Sequence, residues 1–476
     1  MKKGPTKTAK TAKTAKTAKT AKQSPQQLSF DPAILEMLDP NAAGIDVSSV
    51  DLWVCVPANR ADQPVRKFGV CTDDLYEIAD WLTACGVTSV AMESTGVYWI
   101  PLYQVLEERG FAVCLTNARH LKNVSGRPKT DRLDCQWIQR LHSYGFLMAS
   151  FRPTDAVCRI RSIQRHRASL IQDASRHVQH MQKALHQMNV LLPKVVKDLT
   201  GVTGMAIIQK ILDGEHNPVK LAKLRNPHCK SSEEEIARAL KGDYREEHLF
   251  VLRQAVNAYR FVHTQLRECD RAIERLLVAI DKQVDATTTP PPPRTKPSQP
   301  KRKNQHQFSC DARTLLYECF GTDITELTGI ETTNGLELYT EVGADMRPWA
   351  TDEHFSSWLG LSPNAKSSGG KMKSSQTRKV SSRAAQVFRM AAKSASRSKT
   401  YIGAFYRRMK ARLGAPKAMT ATARKIAVIF YHMVKDRKPY YDLGEEYYVK
   451  QNQERALKRL QRQAKQLGYT LVEHHA

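Results

Sequence analysis

Four acidic residues stand where a carboxylate is either costly or useful. Asp46 lies inside the apolar, strand-like segment Gly44-Ile45-Asp46-Val47-Ser48. An acid there is costly unless it is paired or holds a cation. Glu93 ends the run Ser89-Val90-Ala91-Met92, just before Ser94-Thr95-Gly96. The carboxyl ends of parallel strands are where α/β sheets place ligands. Asp131 and Asp134 lie in Lys129-Thr130-Asp131-Arg132-Leu133-Asp134, a spacing that puts both on one helix face, where they repel weakly. Four hard oxygen donors suit Mg²⁺ or Mn²⁺ rather than zinc. Two such ions about 3.5–4 Å apart could activate a nucleophile and stabilise a leaving oxygen in phosphodiester chemistry. Each acid alone also has a plain structural use. Asp46 could begin a turn, Glu93 could cap a helix, and Asp131 and Asp134 could complement a helix N-terminus after Thr130.

A second constellation is basic. Residues 363–383 are small, flexible and cationic, a composition that lets backbone approach phosphates. Ser367 and Ser368 precede Gly369 and Gly370 among Lys366, Lys371 and Lys373; Arg378, Lys379 and Arg383 follow. A serine hydroxyl attacking a DNA phosphate needs cations to stabilise the developing charge. From the residues alone this reads first as a phosphate-binding loop and only second as a nucleophile. The helix after it, 384–395, carries Val387 and Met390 on an apolar side. Arg383, Arg389 and Lys393 lie elsewhere on it as candidate phosphate contacts.

Ordered elements must hold these groups. Residues 42–117 alternate strand-like and helix-like segments, which predicts an α/β sheet with some parallel pairs. Within it, Thr72 to Cys85 reads as a helix with Leu75, Ile78, Ala79 and Leu82 on one face. Residues 153–285 are mainly helical. Leu266, Cys269, Ile273, Leu276 and Ile280 follow a 3-4-3-4 spacing, a narrow coiled-coil seam. The first long helix has Ile160, Ile163, Leu170, Ala174, Met181 and Met188 in similar register. An intramolecular hairpin and a dimerisation arm fit this pattern equally. Residues 286–309 hold Pro290 to Pro293 and read as a polyproline-type or disordered linker. Two glycine turns, Thr200 to Met205 and Thr328-Gly329-Ile330, each precede an apolar helix and could offer N–H groups to a phosphate. The divisions are then 1–28, a disordered basic tail; 40–150, the sheet domain with the acids; 151–285, a helical arm; 286–310, the linker; 311–440, a mostly helical domain with a Gly/Ser/Lys-rich loop at 363–376; and 441–476, a C-terminal helix.

Charge follows this division. The 476 residues carry 74 Lys+Arg against 47 Asp+Glu, a net +27, which calls for a polyanion partner. Residues 1–25, with five Thr-Ala-Lys repeats, carry +8; 286–309 carry +5; 365–438 carry +19, leaving −5 for the rest. The acids therefore lie in the part without a basic excess. Hydrophobic residues make up 41%, which excludes global disorder. No apolar run is long enough to span a membrane, and the N-terminal stretch lacks the apolar core of a secretory signal. Ten cysteines without a CxxC pair suit a reduced cytoplasm and argue against structural zinc.

The three acidic blocks, in this order, resemble the DEDD-type insertion-sequence transposases, which include the Piv-type DNA invertases. The block around Glu93 continues as Val97-Tyr98-Trp99 in the same pattern. The resemblance implies an α/β RNase H-like (RuvC-like) N-terminal domain, a central coiled-coil arm of long helices and a mainly α C-terminal transposase domain. It implies that Asp46, Glu93, Asp131 and Asp134 are a metal-binding tetrad for Mg²⁺ (or Mn²⁺). Trp358-Leu359-Gly360-Leu361-Ser362-Pro363, followed by Ser367-Ser368-Gly369-Gly370-Lys371, resembles the family's second domain. By that motif Ser368 is the covalent nucleophile on DNA, with Ser367 the alternative, and Lys366, Lys371, Lys373, Arg378, Lys379 and Arg383 bind nucleic acid. Tyr401 to Arg408, Ala411 to Ala418 and Ser231 to Phe250 match one branch of the family. The Lys-x-Gly-Asn sequence of other branches is replaced here by Lys379-Val380-Ser381-Ser382.

The resemblance covers residues 40–285 and 311–470. It implies an enzyme that cleaves and rejoins DNA at element ends and target, guided by a structured, element-encoded RNA. It also implies a homodimer or homotetramer, with its half-sites joined across subunits, working at a bacterial nucleoid without a membrane. Two other readings stay open: a RuvC-like structure-specific nuclease using metal-activated water, and a non-catalytic nucleic-acid-binding protein.

Overall fold

Alternating burial along the first strand sets the first layer. In Ala42–Val47 (β1), Ala43, Ile45 and Val47 enter one core, so Gly44 and Asp46 face the opposite side. The computed structural model describes residues 36–94, 96–117, 130–294 and 306–472. The Thr-Ala-Lys tail and the part of the linker at 295–305 lie outside the described residues. The chain divides into two compact units, Met1–Phe151 and Arg152–Ala476.

In the first unit β1 is joined by Leu52–Cys55 (β2), Val65–Phe68 (β3), Ser89–Glu93 (β4) and Ala112–Thr116 (β5). The sheet order is β3-β2-β1-β4-β5. β2 pairs antiparallel with both β1 and β3, whereas β4 lies parallel to β1 and β5 parallel to β4. Helices Thr72–Ala84 (α1) and Trp99–Glu108 (α2) cover one face through Leu75, Ile78, Ala79, Leu82, Leu102 and Leu106. These include the four residues whose spacing predicted the α1 face. On the other face lies Asp131–Ser143 (α3). Its Gln139 Nε2 donates to the Ala42 carbonyl at 3.2 Å and to Ser143 Oγ at 2.9 Å, and Ile138 packs on Ala91.

The second unit begins with Asp155–Gln187 (α4), which runs antiparallel to Glu246–Ala279 (α9). The short helices Leu192–Val195 (α5), Val202–Leu212 (α6), Pro218–Ala222 (α7) and Glu233–Ala239 (α8) close the far end around a shared core. The seam residues of α9 are therefore buried within the chain, as in the hairpin of the two alternatives. Its register also departs from the heptad: burial runs through Leu266, Cys269, Ile273 and Leu277, while Leu276 is half-buried. A straight helix drifts about 20° per strict heptad, which turns the buried stripe away from Leu276 and toward Leu277 along this length. Inside the pair, Arg167 Nε donates to Asp270 Oδ1 at 2.6 Å with both side chains almost fully buried. A pair so desolvated fixes register more than it adds stability.

The rest of this unit comprises Ala312–Phe320 (α10), Thr332–Val342 (α11), Asp352–Trp358 (α12), the strands Lys366–Ser368 (β6) and Lys371–Ser374 (β7), Arg383–Ala395 (α13), Tyr401–Leu413 (α14), Ala415–Asp436 (α15) and Gly444–Gln466 (α16). Phe320, Phe355, Phe388 and Phe430 pack ring on ring at its centre. The buried face of α13 is built from Ala384, Ala385, Val387, Phe388, Ala391, Ala392 and Ala395, and Met390 points outward. That corrects the expected Val387/Met390 side: closely packed alanines leave no room for a long side chain. Gly329 has φ +84°, and a Cβ there would lie 2.5 Å from the Ala391 carbonyl oxygen. This second glycine turn thus serves close packing on α13. The first, at Gly201, borders a cavity of about 1070 Å³ lined also by Lys197, His228 and Lys230.

Candidate active site

Strand alternation and register build the acidic half. β4 buries Val90 and Met92 in the core of the α1/α2 face, so Glu93 turns to the α3 face, as Asp46 does. Ile45 lies beside Met92 in the parallel β1–β4 pairing. One residue further, at the carboxyl ends of the strands, Asp46 stands next to Glu93. α3 starts above them. Thr130 caps it, its hydroxyl accepting from Leu133 N at 3.3 Å, and Asp131 and Asp134 occupy its first turn. Capping and charge complementarity are thus real local roles for these acids. They coexist with a place in the cluster.

The close approach of α3 depends on Gly44. A Cβ at this position would lie 2.2 Å from Gln139 N and 2.5 Å from the Cys135 carbonyl oxygen, both backbone atoms. No side chain fits there without moving the helix. This positioning glycine was missed in the sequence, although a glycine inside a strand marks close backbone approach. Beside it, Cys55, opposite Gly44 on β2, donates to the Val56 carbonyl, and Cys135 of α3 donates to the Arg132 carbonyl. The interaction with Cys55, then burial, pushes the Cys135 thiol well up. None of the ten cysteines forms a disulfide.

Burial, followed by the charges of Asp134, Glu93 and Asp131, pushes the Asp46 carboxyl up to about 6. The four acids therefore act on one another through space. Among the described residues, no three His, Cys, Asp or Glu side chains are gathered tightly enough to hold a metal ion as they stand. The donor set nevertheless fits a hard divalent cation, because all four donors are carboxylate oxygens.

The serine half is a hairpin, where a loop was expected. Ser368 pairs with Lys371 across a two-residue turn of Gly369 (φ +58°) and Gly370 (φ +72°). Left-handed backbone at both turn positions suits the twist of a hairpin, and a Gly-Gly pair adopts it without strain. That dipeptide was the signal available in the sequence. Lys366, Ser367, Ser368, Lys371, Met372 and Lys373 are all exposed. Opposed residues of an antiparallel pair share a face. Ser368 thus shares one with Lys371, whereas Ser367 shares the other with Met372.

The hairpin's root is firm. Leu359 and Leu361 are buried, and Ser356 Oγ and Ser362 Oγ lie 2.7 Å apart. Arg378 Nη2 donates to the Ser357 carbonyl at 2.5 Å, so part of this guanidinium holds the root. Lys379 is exposed, and Arg383 opens α13 near the half-buried Glu337. Burial pushes the Glu337 carboxyl up, and the Arg383 charge opposes that rise. The structure therefore gathers Lys366, Lys371 and Lys373 around the serines and gives Arg378 and Arg383 protein partners.

Two family models match the chain. One, described as a transposase of the DEDD, IS110 type, matches residues 43–190, which contain all four acids. The other, described as the transposase IS116/IS110/IS902 family, matches residues 321–407, which contain the serine hairpin. No curated protein matches the chain. No described helix is long and apolar enough to cross a membrane. The mixed sheet of the first unit lies within a match whose domain is RNase H-like, and the second match falls on a mostly helical region. Matched in this order, with acids in one segment and the serine hairpin in the other, the chain belongs to the DEDD-type transposases of the IS116/IS110/IS902 family.

Proposed function

We propose that this transposase cleaves and rejoins DNA with two half-sites, one in each compact unit. Asp46, Glu93, Asp131 and Asp134 hold Mg²⁺ or Mn²⁺, and Ser368 is the nucleophile. The observation that carries the first half is the raised Asp46 carboxyl, acted on by the other three acids. Such mutual repulsion is what a cation would relieve. A bound divalent ion would polarise a phosphodiester oxygen and neutralise charge there. For the second half, the pairing of Ser368 with Lys371 puts a cation on the face of its hydroxyl, which favours Ser368 over Ser367.

The chemistry is a balanced exchange. Ser368 Oγ bonds to phosphorus as a deoxyribose oxygen leaves, and the serine proton passes to that oxygen. Attack by a second deoxyribose hydroxyl then breaks the Oγ–P bond and restores the serine. Bond energy is kept in the phosphoseryl diester, so no nucleotide triphosphate is needed. DNA at element ends and target is the substrate, and a structured guide RNA encoded by the element supplies sequence choice through base pairing, as in other RNA-guided systems. Lys366, Lys371, Lys373 and Lys379 contact phosphates, with the spare donors of Arg378 and Arg383.

Incubation with element DNA, denaturation and gel separation tests the nucleophile. The wild-type and Ser367→Ala proteins should give a covalent protein–DNA adduct, and Ser368→Ala should give none. Full product formation by Ser368→Ala would instead favour a water-using nuclease.

A further inference from the structure

One glycine turn singled out in the sequence has no part in either half-site. Leu199-Thr200-Gly201-Val202-Thr203-Gly204 leads into α6. Its two glycines do different work. A Cβ at Gly204 would lie 2.1 Å from the Leu199 carbonyl oxygen, so Gly204 admits close packing of the turn on the helix. Gly201, just before α6, has ordinary extended backbone (φ −73°, ψ 175°), and no side chain caps the helix there. An uncapped start leaves N–H donors to be met from outside the helix. Gly201, Val202 and Thr203 line the cavity of about 1070 Å³.

The side chains of the cavity point the same way. Thr203 is 7% exposed, and its Oγ1 accepts from Asn226 N at 3.0 Å. A hydroxyl that accepts still has a proton to donate, and this one finds no acceptor among the described residues. A buried donor of that kind calls for a partner. Lys197 and Lys230 are exposed on the same lining, and neither forms an ion pair among the described residues. The one acid there, Asp198, already accepts through Oδ1 from Thr200 N at 3.0 Å and from Thr200 Oγ1 at 2.8 Å.

We propose that this cavity is a second nucleic-acid contact, which holds a backbone phosphate on the α6 N–H groups and Thr203, between Lys197 and Lys230. The chemistry selects the ligand. N–H, hydroxyl and ammonium groups all donate, so the partner is an anion with several acceptor oxygens. The cavity is larger than one phosphate fills and its lysines open to solvent, which suits a strand passing through. Its lining carries no Phe, Tyr or Trp among the described residues, so it grips backbone and leaves bases unread. The inference does not rest on the nucleophile or metal assignments.

Binding of the full chain to a short fluorescein-labelled DNA duplex and to a single-stranded RNA of equal length, followed by anisotropy over a range of salt, tests it. Lys197→Gln/Lys230→Gln should weaken binding of at least one polymer about tenfold and flatten its salt slope by about 1.4–1.8, the loss of two phosphate contacts. The polymer that shows the loss is the one the cavity holds. Gly201→Asp should weaken the same polymer, because its carboxylate takes up the N–H groups from within the chain. Lys223→Gln/Lys241→Gln removes the same charge from exposed positions off the lining and should leave the slope unchanged. Because the four lysines are exposed, circular dichroism melting of both lysine variants should match the wild type. Unchanged binding of both polymers by Lys197→Gln/Lys230→Gln overturns the proposal, and so does an equal loss in Lys223→Gln/Lys241→Gln. Calorimetric binding of ATP that is lost in Lys197→Gln/Lys230→Gln, with both polymers bound as by the wild type, would also overturn it and assign the cavity to a free nucleotide.

Discussion

The two regions matched by the transposase models are built in opposite ways. The acids sit where a sheet and a helix meet, Asp46, Glu93 and Asp134 half-buried and Asp131 exposed, with their directions set by strand alternation and by the tight α3–β1 contact over Gly44. The serines sit on an exposed polar ribbon whose root alone is packed. One half is pre-positioned by the fold at a cost in electrostatic repulsion. The other is a short hairpin whose tip has no packing of its own and is free to meet a backbone. This contrast teaches that stability and activity should separate differently in the two halves.

The largest effect expected is on chemistry at the acids. Asp46→Asn should lower strand cleavage by about a thousandfold or more in a DNA cleavage assay. Next comes the contact that places α3. Gly44→Ala should cost about 2–3 kcal/mol, measured by urea unfolding, because backbone must move to admit the Cβ. It should also lower cleavage, since Asp131 and Asp134 move with the helix. No similar loss should follow from Met372→Ala on the hairpin.

A smaller effect has the opposite sign. The folded-state pKa of Asp46 lies above its ordinary value, at about 6. The folded protein then binds more protons than the unfolded one between pH 4 and 6, roughly. Without metal, the contribution of Asp46 to stability falls as pH rises through that window. Asp46→Asn should therefore raise the stability of the metal-free protein at pH 7 by about 1 kcal/mol, the full shift being discounted for solvent screening. The gain should vanish near pH 4. Thermal melts at both pH values check this, and equal melts at pH 7 would mean that Asp46 carries no stored repulsion. The smallest effect on stability is expected at the hairpin tip. Gly370→Ala strains one left-handed residue by about 1 kcal/mol locally. Its melting temperature should hardly move, while adduct formation falls.

Much of this was legible in the residues. The α1 face at Leu75, Ile78, Ala79 and Leu82 followed from helical periodicity alone. The placement of Asp46 inside a strand and of Glu93 at a strand's end followed from the apolar runs around them. What escaped was set by shape more than by pattern. Leu277, not Leu276, joins the α9 seam because helix geometry drifts from a heptad. Met390 is outside because alanines, easily discounted beside larger residues, line the buried face of α13. The Gly-Gly turn made a ribbon of a segment whose small polar residues read as a loop. Gly44 gained its meaning only once a helix lay across it.

The most direct test of the acidic half-site is Mn²⁺ binding by the purified full chain at neutral pH, followed by electron paramagnetic resonance. Binding by the wild-type protein, its loss in Asp46→Asn and its weakening in Gly44→Ala are the expected results. Equal Mn²⁺ binding by wild-type and Asp46→Asn protein would contradict the assignment of these four carboxylates as one metal site.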